Sequence, residues 1–375
     1  MLRILTSFDG SSPRDDVGVH QVDEAKFVVL ANYRRQEGIE EECLAGSGAR
    51  FSTRIQNSGE TAQKVTVVAD WQTELYVQYR DLGFVRMPGE VDWRQIPGRH
   101  EKTQVTYELT VPPGVTSLAL YPEYNYTDCC QFVERHRSAG VDVQSIGKSQ
   151  EGRDLWMLHL PASNPQAKRF VVQARDHAYE SAGSFCVEGI MDMLLSDDEK
   201  SRLLRREYDV YVIPMANPDG VHNGMSRLTS ERGANLNRLI TRADGAHLAI
   251  RNALNYARPD VYLNIHNWQI KDIDGLLVIE PAMAAAIMAR MPDDVAHGKK
   301  WYVESRQDWL KSQKLTDVPE TSKSWKDYCL DHFGAIGVTV EFPWPGRTPA
   351  DMRLRGASVF AALGFAALET GACRK

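Results

Sequence analysis

The chain has 375 residues, enough for two domains, and its 43% hydrophobic and 25% charged residues are ordinary for a globular protein. A formal net charge of −6 gives no electrostatic basis for binding nucleic acid. The sequence contains no run of about twenty apolar residues, which a membrane-spanning helix would need. Met1 to Arg14 lacks a basic stretch before a long apolar core, and the six cysteines show no Cys-x-x-Cys spacing, so we predict a cytoplasmic protein.

The first third of the chain consists of short strand-like runs. Segments 51–55, 63–69, 74–79 and 104–110 alternate apolar with polar residues and are rich in Val, Thr and Tyr. Glycine- and proline-containing turn signals separate these segments. This spacing predicts a small antiparallel β-sandwich domain over residues 1–122. Because His, Cys and acids do not cluster there, we expect a scaffold or recognition role.

From residue 123 onwards strands and helices alternate, which predicts an α/β domain over residues 123–375. Strands are predicted at 155–160, 169–174, 208–215, 260–265 and 338–342. Helices are predicted from a cap at Thr127 or Asp128 to about Arg137 and at 182–195, with a second helix following through Arg206. Further helices are predicted at 246–257, 281–291, 299–311, 322–333 and 353–369. The pattern indicates a central mixed, mostly parallel sheet flanked by helices, whose ligands bind beyond the carboxyl ends of the strands.

Two of these strand ends carry potential metal ligands. His177-Ala-Tyr-Glu180 follows one strand, and His266 ends another. A lone histidine after a buried strand is more often a satisfied core residue, but a His-x-x-Glu on the same sheet reverses that preference. Two His and one Glu suit a catalytic zinc that keeps one position open, so we predict one zinc ion per chain. Asp176, Asn264 and Asn267 are candidates to orient these ligands.

A third strand end offers a general base. Glu341 lies between Val340 and Phe342, where a carboxylate is costly to bury unless it is paired or protonated. The structural alternative is an ion pair with Arg347 or Arg353. A hydrolytic metal site needs an acceptor for the proton of water and a donor to the leaving amine, and Glu341 suits both tasks.

The segment 217–238 adds positive charge beside this edge of the sheet. Asn217-Pro-Asp-Gly220 is a turn signal directly after a buried strand, and Arg227, Asn237 and Arg238 follow it. An arginine binds a carboxylate through two parallel hydrogen bonds and can stabilise an oxyanion next to a metal. A solvated basic loop is the alternative for any one of these residues taken alone.

Taken together, these motifs resemble the zinc metallocarboxypeptidase family. Gly147 to Arg153, His177 to Glu180, Asn217 to Val221, Arg227 with Leu236-Asn-Arg238, and His266 followed by Glu341 occur in the family's order over roughly 145–342. The preceding β domain is similar to that of the cytosolic carboxypeptidase subgroup. Two departures are Asn235, where the family commonly has Asp, and Ala178-Tyr179, where Pro-Gly is frequent.

The resemblance implies a metallocarboxypeptidase that acts on a peptide or protein C-terminus. His177, Glu180 and His266 would hold zinc, and Glu341 would be the catalytic base. Arg227 would polarise the scissile carbonyl, while Asn237 and Arg238 would bind the substrate's terminal carboxylate.

The substrate tyrosine and the function of the site each have more than one candidate. The family's substrate tyrosine could correspond to Tyr328 or Tyr302, and neither spacing decides the matter. Lys323, Lys326 and Arg232 would favour acidic C-terminal side chains. Two rival functions are an amidohydrolase of the aspartoacylase-like deacylase type and a non-catalytic peptide-binding relative. The oligomeric state is not predicted.

Overall fold

The computed structural model describes residues 1–12, 15–31, 50–71, 81–229, 234–238, 240–243, 245–268, 271–296 and 301–370. The predicted strand at 74–79 and the candidate residue Arg232 lie outside this set. In the described part of the chain, two five-stranded sheets lie in the first third, and one eight-stranded sheet follows.

The first two sheets are built from ten short strands. These are β1 Leu2–Leu5, β2 Val19–Gln21, β3 Lys26–Leu30, β4 Ser52–Asn57, β5 Gln63–Asp70, β6 Leu82–Arg86, β7 Arg94–Pro97, β8 Arg99–Glu101, β9 Gln104–Val111 and β10 Gly114–Ala119. One sheet has the order β1-β4-β10-β6-β7, with all pairs antiparallel. The other, β2-β3-β5-β9-β8, is antiparallel except for β3–β5. Tyr107 of β9 donates a hydrogen bond to the Leu82 carbonyl of β6, so the sheets face each other.

The large sheet confirms the predicted mixed, mostly parallel arrangement. Its strands are β11 Asp142–Lys148, β12 Asp154–Leu160, β13 Lys168–Ala174, β14 Tyr208–Ile213, β15 Val261–His266, β16 Gly275–Val278, β17 Tyr302–Ser305 and β18 Ile336–Glu341. They lie in the order β11-β12-β14-β13-β15-β18-β16-β17. The four central strands β14, β13, β15 and β18 run parallel, so their carboxyl ends meet at one edge.

Helices cover both faces of this sheet. They are α1 Tyr126–Ser138, α2 Ser181–Leu195, α3 Glu199–Glu207, α4 Pro218–His222, α5 Gly245–Ala257, α6 Pro281–Met288, α7 Asp293–Ala296, α8 Arg306–Ser312, α9 Trp325–Phe333 and α10 Pro349–Glu369. Phe170 and Val172 of β13 pack in the core that includes α2 and α10, whereas Val171 packs with α5 and α9. This alternation explains why the central strands are apolar throughout. No helix in the described ranges is long and apolar enough to cross a membrane.

One predicted helix is wrong in its first part. Within 299–311, residues Tyr302–Ser305 form β17, which pairs in parallel with β16, and α8 begins only at Arg306. The β-favouring Tyr302 and Val303 select the strand, and the Ser305 side chain then accepts the Asp308 N–H as the helix cap. The start of α1 also differs from the prediction: Asn125 is the capping residue, and the Asp128 carboxylate accepts its N–H at 2.7 Å.

Candidate metal centre

The parallel strands bring the predicted metal ligands to one place. Strand β13 pairs with β15 up to Ala174 opposite Ile265, and His266 of β15 pairs with Glu341 of β18. The chain leaving β13 turns at once into the segment 176–180, from which α2 begins. Asn217, beyond β14, donates hydrogen bonds to the carbonyl oxygens of Asp176 and Leu228, which ties this turn to the segment carrying Arg227.

His177, Glu180 and His266 form a buried cluster whose potential ligand atoms lie within 4.8 Å of one another. The Nδ1 atom of His177 is 2.8 Å from one oxygen of the Glu180 carboxylate, and Nδ1 of His266 is 2.9 Å from the other. Burial alone would raise the pKa of Glu180, but the two imidazoles outweigh it and hold that pKa well below its usual range. Burial opposes the protonation of His266, yet Glu180 raises its pKa to about 9.

The donor chemistry of this cluster fits a zinc ion. The Nε2 atom of His177 lies 3.0 Å from Asn235 Oδ1, and an amide oxygen accepts only if Nε2 carries the proton. This assignment leaves the Nδ1 lone pair of His177 facing a carboxylate, a contact that favours a cation between them. Burial also lowers the pKa of His177, which suits a neutral ligand. Two imidazole nitrogens and a carboxylate are a donor set that Zn²⁺ accepts.

Glu341 lies at the end of β18 beside this cluster. Burial raises its pKa to about 8, with His266 acting against the increase and Glu180 adding to it. Neither arginine of the structural alternative reaches it: Arg347 pairs with Asp274 at 2.5 Å, and Arg353 pairs with Glu188 at 2.8 Å. A carboxyl group whose pKa is near neutral is suited to accepting and returning a proton.

A cavity of about 190 Å³ opens over the cluster. Six of the seven predicted site residues line it: His177, Arg227, Asn237, Arg238, His266 and Glu341. The seventh, Glu180, lies between the two histidines. Thr339, Lys326 and Arg306 also line this cavity. The fold therefore brings all seven predicted residues together.

The structure also shows contacts that sequence reasoning missed. Asn235, noted only as a departure from the family pattern, contacts a metal-site histidine. The Tyr179 hydroxyl donates to Glu180 at 3.0 Å, although Tyr179 too was only a departure. Of the candidate tyrosines, Tyr328 donates to Asn255 and Tyr302 to Glu304, and neither lines the cavity. Residue type alone could not predict these contacts, because they depend on the folded conformation of the segments that carry the residues.

Comparison with known proteins agrees with this geometry. Residues 126–249 match the family model for zinc carboxypeptidases. This stretch, which runs from α1 into α5, is similar to the zinc carboxypeptidase family. A metallocarboxypeptidase A-like protein of Trichophyton verrucosum is 31% identical over 117 residues, which cover 30% of this chain and 28% of that protein. Cytosolic carboxypeptidase-like protein 5 of Bos taurus is 34% identical over 140 residues, covering 35% of this chain and 16% of that protein.

A likeness in fold covers nearly the whole chain. A crystal structure of a metallo-carboxypeptidase from Burkholderia cenocepacia matches with a TM-score of 0.77 at 19% identity, covering 99% of this chain and 100% of that one. At this identity the match concerns the fold. The aligned segments span 28% or less of the two curated relatives.

Proposed function

We propose that this protein is a zinc-dependent metallocarboxypeptidase that hydrolyses the C-terminal peptide or isopeptide bond of peptides or proteins. The observation that carries the proposal is the convergence of three metal-type ligands, a buried carboxyl group and a cationic wall on one cavity. We further propose one zinc ion per chain and a division into domains at residues 122 and 123. The cytoplasmic location rests on the resemblance to cytosolic carboxypeptidases.

In this mechanism His177, Glu180 and His266 would hold the zinc ion. When bound, zinc would supply Lewis-acid activation of water and of the substrate carbonyl. Glu341 would accept the proton of the attacking water and return it to the nitrogen of the leaving amine as the C–N bond breaks. Arg227 would donate hydrogen bonds to the carbonyl oxygen as negative charge develops there.

Binding of the substrate's C-terminus would select the terminal bond. Asn237 and Arg238 line the cavity beside the histidines, where an amide and a guanidinium can bind one carboxylate. The Asn237 amide nitrogen is 3.4 Å from His266 Nε2. A carboxylate bound at these residues would therefore place the preceding peptide bond next to the metal ligands.

We also propose a preference for acidic C-terminal side chains, with Lys326 as the contact. Lys326 lies in the cavity wall, and its Nζ donates a long hydrogen bond of 3.4 Å to the Leu277 carbonyl. Lys323, the other described candidate, already pairs with Asp331 at 2.7 Å and Glu320 at 3.0 Å. Burial lowers the pKa of Lys326, and an anionic side chain in the cavity would stabilise its charged form.

The substrate preference can be tested with Lys326→Met and the matched control Lys323→Met. We expect Lys326→Met to lower kcat/KM at least about tenfold for peptides ending in Glu, because an anion would lose its cationic partner. Release of C-terminal Leu should change little, and Lys323→Met should behave as wild type. Removal of C-terminal Asp or Glu no faster than Leu or Lys by the wild type would contradict the preference.

The main test measures metal content and C-terminal release from a mixed peptide library, for wild type and Glu341→Gln. We expect one zinc in both proteins and a fall in release by a factor of about 10²–10⁴ in the variant. Zinc without peptide cleavage in the wild type would favour the small-molecule deacylase. Absence of metal binding would contradict the enzyme proposal.

A further inference from the structure

The peptide unit between Ala178 and Tyr179 lies at the centre of the segment that carries the candidate metal ligands. Its carbonyl oxygen accepts hydrogen bonds from two arginines, Arg175 at 2.6 Å and Arg50 at 3.2 Å. Its N–H donates to the Ser226 carbonyl at 2.8 Å, one residue before Arg227. Hydrogen bonds to both its carbonyl oxygen and its N–H therefore fix the orientation of this peptide unit. It lies midway between His177 and Glu180.

Arg175 directly precedes the metal-ligand segment 176–180, whereas Arg50 comes from the N-terminal third of the chain. Arg50 precedes β4, and its own carbonyl accepts a hydrogen bond from the Trp71 indole at 3.3 Å. Besides Ala178, its guanidinium donates to the carbonyl oxygens of Met225 and Gly10, each at 3.3 Å. One side chain thus joins three segments: the N-terminal turn, the metal-ligand segment and the segment leading to Arg227.

The environment of Arg50 favours a positioning role over simple stabilisation. Only 9% of Arg50 is exposed, and burial lowers its pKa to about 10, with Glu123 and Asp9 acting against this decrease. The three hydrogen bonds described above all go to carbonyl oxygens, which offer less compensation for a buried charge than a paired carboxylate does. Such bonds do, however, fix the directions of the carbonyl groups that accept them.

We propose that Arg50 is a positioning residue for the metal ligands. Through the Ala178 carbonyl it orients the segment from His177 to Glu180, and through the Met225 carbonyl it orients the segment carrying Arg227. The N-terminal sheets then have a specific task in the chemistry, because they deliver this guanidinium. The inference rests on the metal site proposed above, and its test uses metal binding as a readout independent of peptide cleavage.

The direct test compares Arg50→Lys with Arg54→Lys. Arg54 lies on β4 nearby, packs over the Phe8 ring and pairs with Glu123, without a hydrogen bond to the metal-ligand segment. Lysine at position 50 keeps the charge but cannot reproduce the fork of two Nη atoms. We expect the zinc Kd to rise about tenfold in Arg50→Lys, in the range seen when groups supporting metal ligands are altered. The visible spectrum of the Co²⁺-substituted protein should also shift.

Thermal unfolding of the metal-free proteins separates positioning from stability. A merely structural Arg50 would lower Tm and leave the zinc Kd and the Co²⁺ spectrum as in Arg54→Lys, which would overturn the inference. If wild type itself binds no zinc, the proposed metal site fails; if wild type and Arg50→Lys bind zinc equally well, only the role of Arg50 fails.

A measurement on the wild type covers the case in which Arg50→Lys does not fold. If Arg50 supports the metal ligands, zinc binding and the Arg50 contacts stabilise each other, because coupling is reciprocal. Zinc should then stabilise the segments that Arg50 holds. We expect zinc to slow hydrogen–deuterium exchange in peptides covering β4 and Gly10 as well as in those covering 176–180. Protection confined to the metal-ligand segment would overturn the inference.

Discussion

Asn235 shows how one residue can alter the chemistry of a metal ligand. Its Oδ1 accepts hydrogen bonds from His177 Nε2 and from the backbone N–H of Asn237, each at 3.0 Å. It therefore fixes the His177 tautomer and connects the candidate metal site to a residue proposed for carboxylate binding. A neutral amide polarises the imidazole less than a carboxylate does, so the choice of Asn at this position tunes the basicity of the ligand.

We predict opposite effects for two substitutions of Asn235. Asn235→Ala should weaken zinc binding about 10–100-fold, because it removes the acceptor that holds Nε2–H. Asn235→Asp should tighten zinc binding, because a carboxylate makes the imidazole a stronger donor. Competition with a chromophoric chelator measures both changes. Asn255→Ala, which removes an acceptor for the Tyr328 hydroxyl, is the matched control and should bind zinc as wild type does. Equal affinities in all four proteins would contradict this account of Asn235.

The sequence allowed three of the candidate residues to be predicted because each follows or ends an apolar strand. His177, His266 and Glu341 are polar residues at strand ends, and parallel strands bring such ends together. Arg50 could not be found in this way. Its partners at the site, the Ala178 and Met225 carbonyls, are more than a hundred residues away, and a carbonyl oxygen leaves no signature in residue type.

At the scale of elements, the central strands could be predicted because they are buried on both faces. The edge strands were harder to predict. Strand β14 was predicted at 208–215, and the structure has it at Tyr208–Ile213. Strand β17, at the edge of the sheet, lies within the segment 299–311 that was predicted as helix. Pairing with β16 decides its conformation, and that contact is not local in sequence.

The crossing of α2 and α10 gives a prediction for the element that leads away from Glu180. A Cβ at Gly356 of α10 would overlap the Cys186 carbonyl of α2, and a Cβ at Gly189 would overlap the Arg353 carbonyl. We expect Gly356→Ala to lower the free energy of unfolding by about 1–3 kcal/mol, since backbone atoms of a helix cannot give way. Urea denaturation should show a lower midpoint with an unchanged slope.

Gly364→Ala, on the same helix, is the control for this overlap. A Cβ there would lie 2.8 Å from the Leu204 Cδ2 atom, the end of a side chain that can rotate away. Alanine also favours helix over glycine by up to about 1 kcal/mol. The control should therefore be close to neutral. An equal loss of stability in both variants would rule out close helix contact as the cause.

Across the whole molecule, the N-terminal sheets and the α/β part share one apolar core. Phe84 of β6 packs edge-on against Trp344 with ring centroids 5.6 Å apart, and the Gly346 N–H donates to Gln95 of β7 at 2.9 Å. Thr127 of α1 donates to Asp9 through both its backbone N–H and its hydroxyl. The sequence predicted a β-rich region followed by an α/β region, but it carried no signal for how closely the two pack.

Glu123, between β10 and α1, makes the stability of this junction depend on pH. Burial raises its pKa to about 7, although Arg54 and Arg50 oppose the increase, and Ser52 donates a hydrogen bond to its carboxyl group. Because the pKa in the folded state is higher than in the unfolded state, folding favours the protonated form. The stabilisation is fully present below the unfolded pKa of about 4.5 and is lost as pH rises through about 7.

We therefore predict that Glu123→Gln flattens the dependence of stability on pH. Between pH 5 and pH 8 the wild type should lose up to about 3 kcal/mol through this group, since each pKa unit corresponds to about 1.4 kcal/mol. Glutamine keeps the shape of the side chain but cannot ionise, so the variant should be the more stable protein at pH 8. Urea unfolding at the two pH values measures the difference, with the exposed Glu60→Gln as the control that should follow wild type. A parallel decline in wild type and Glu123→Gln would mean that the pH dependence of stability arises from other groups.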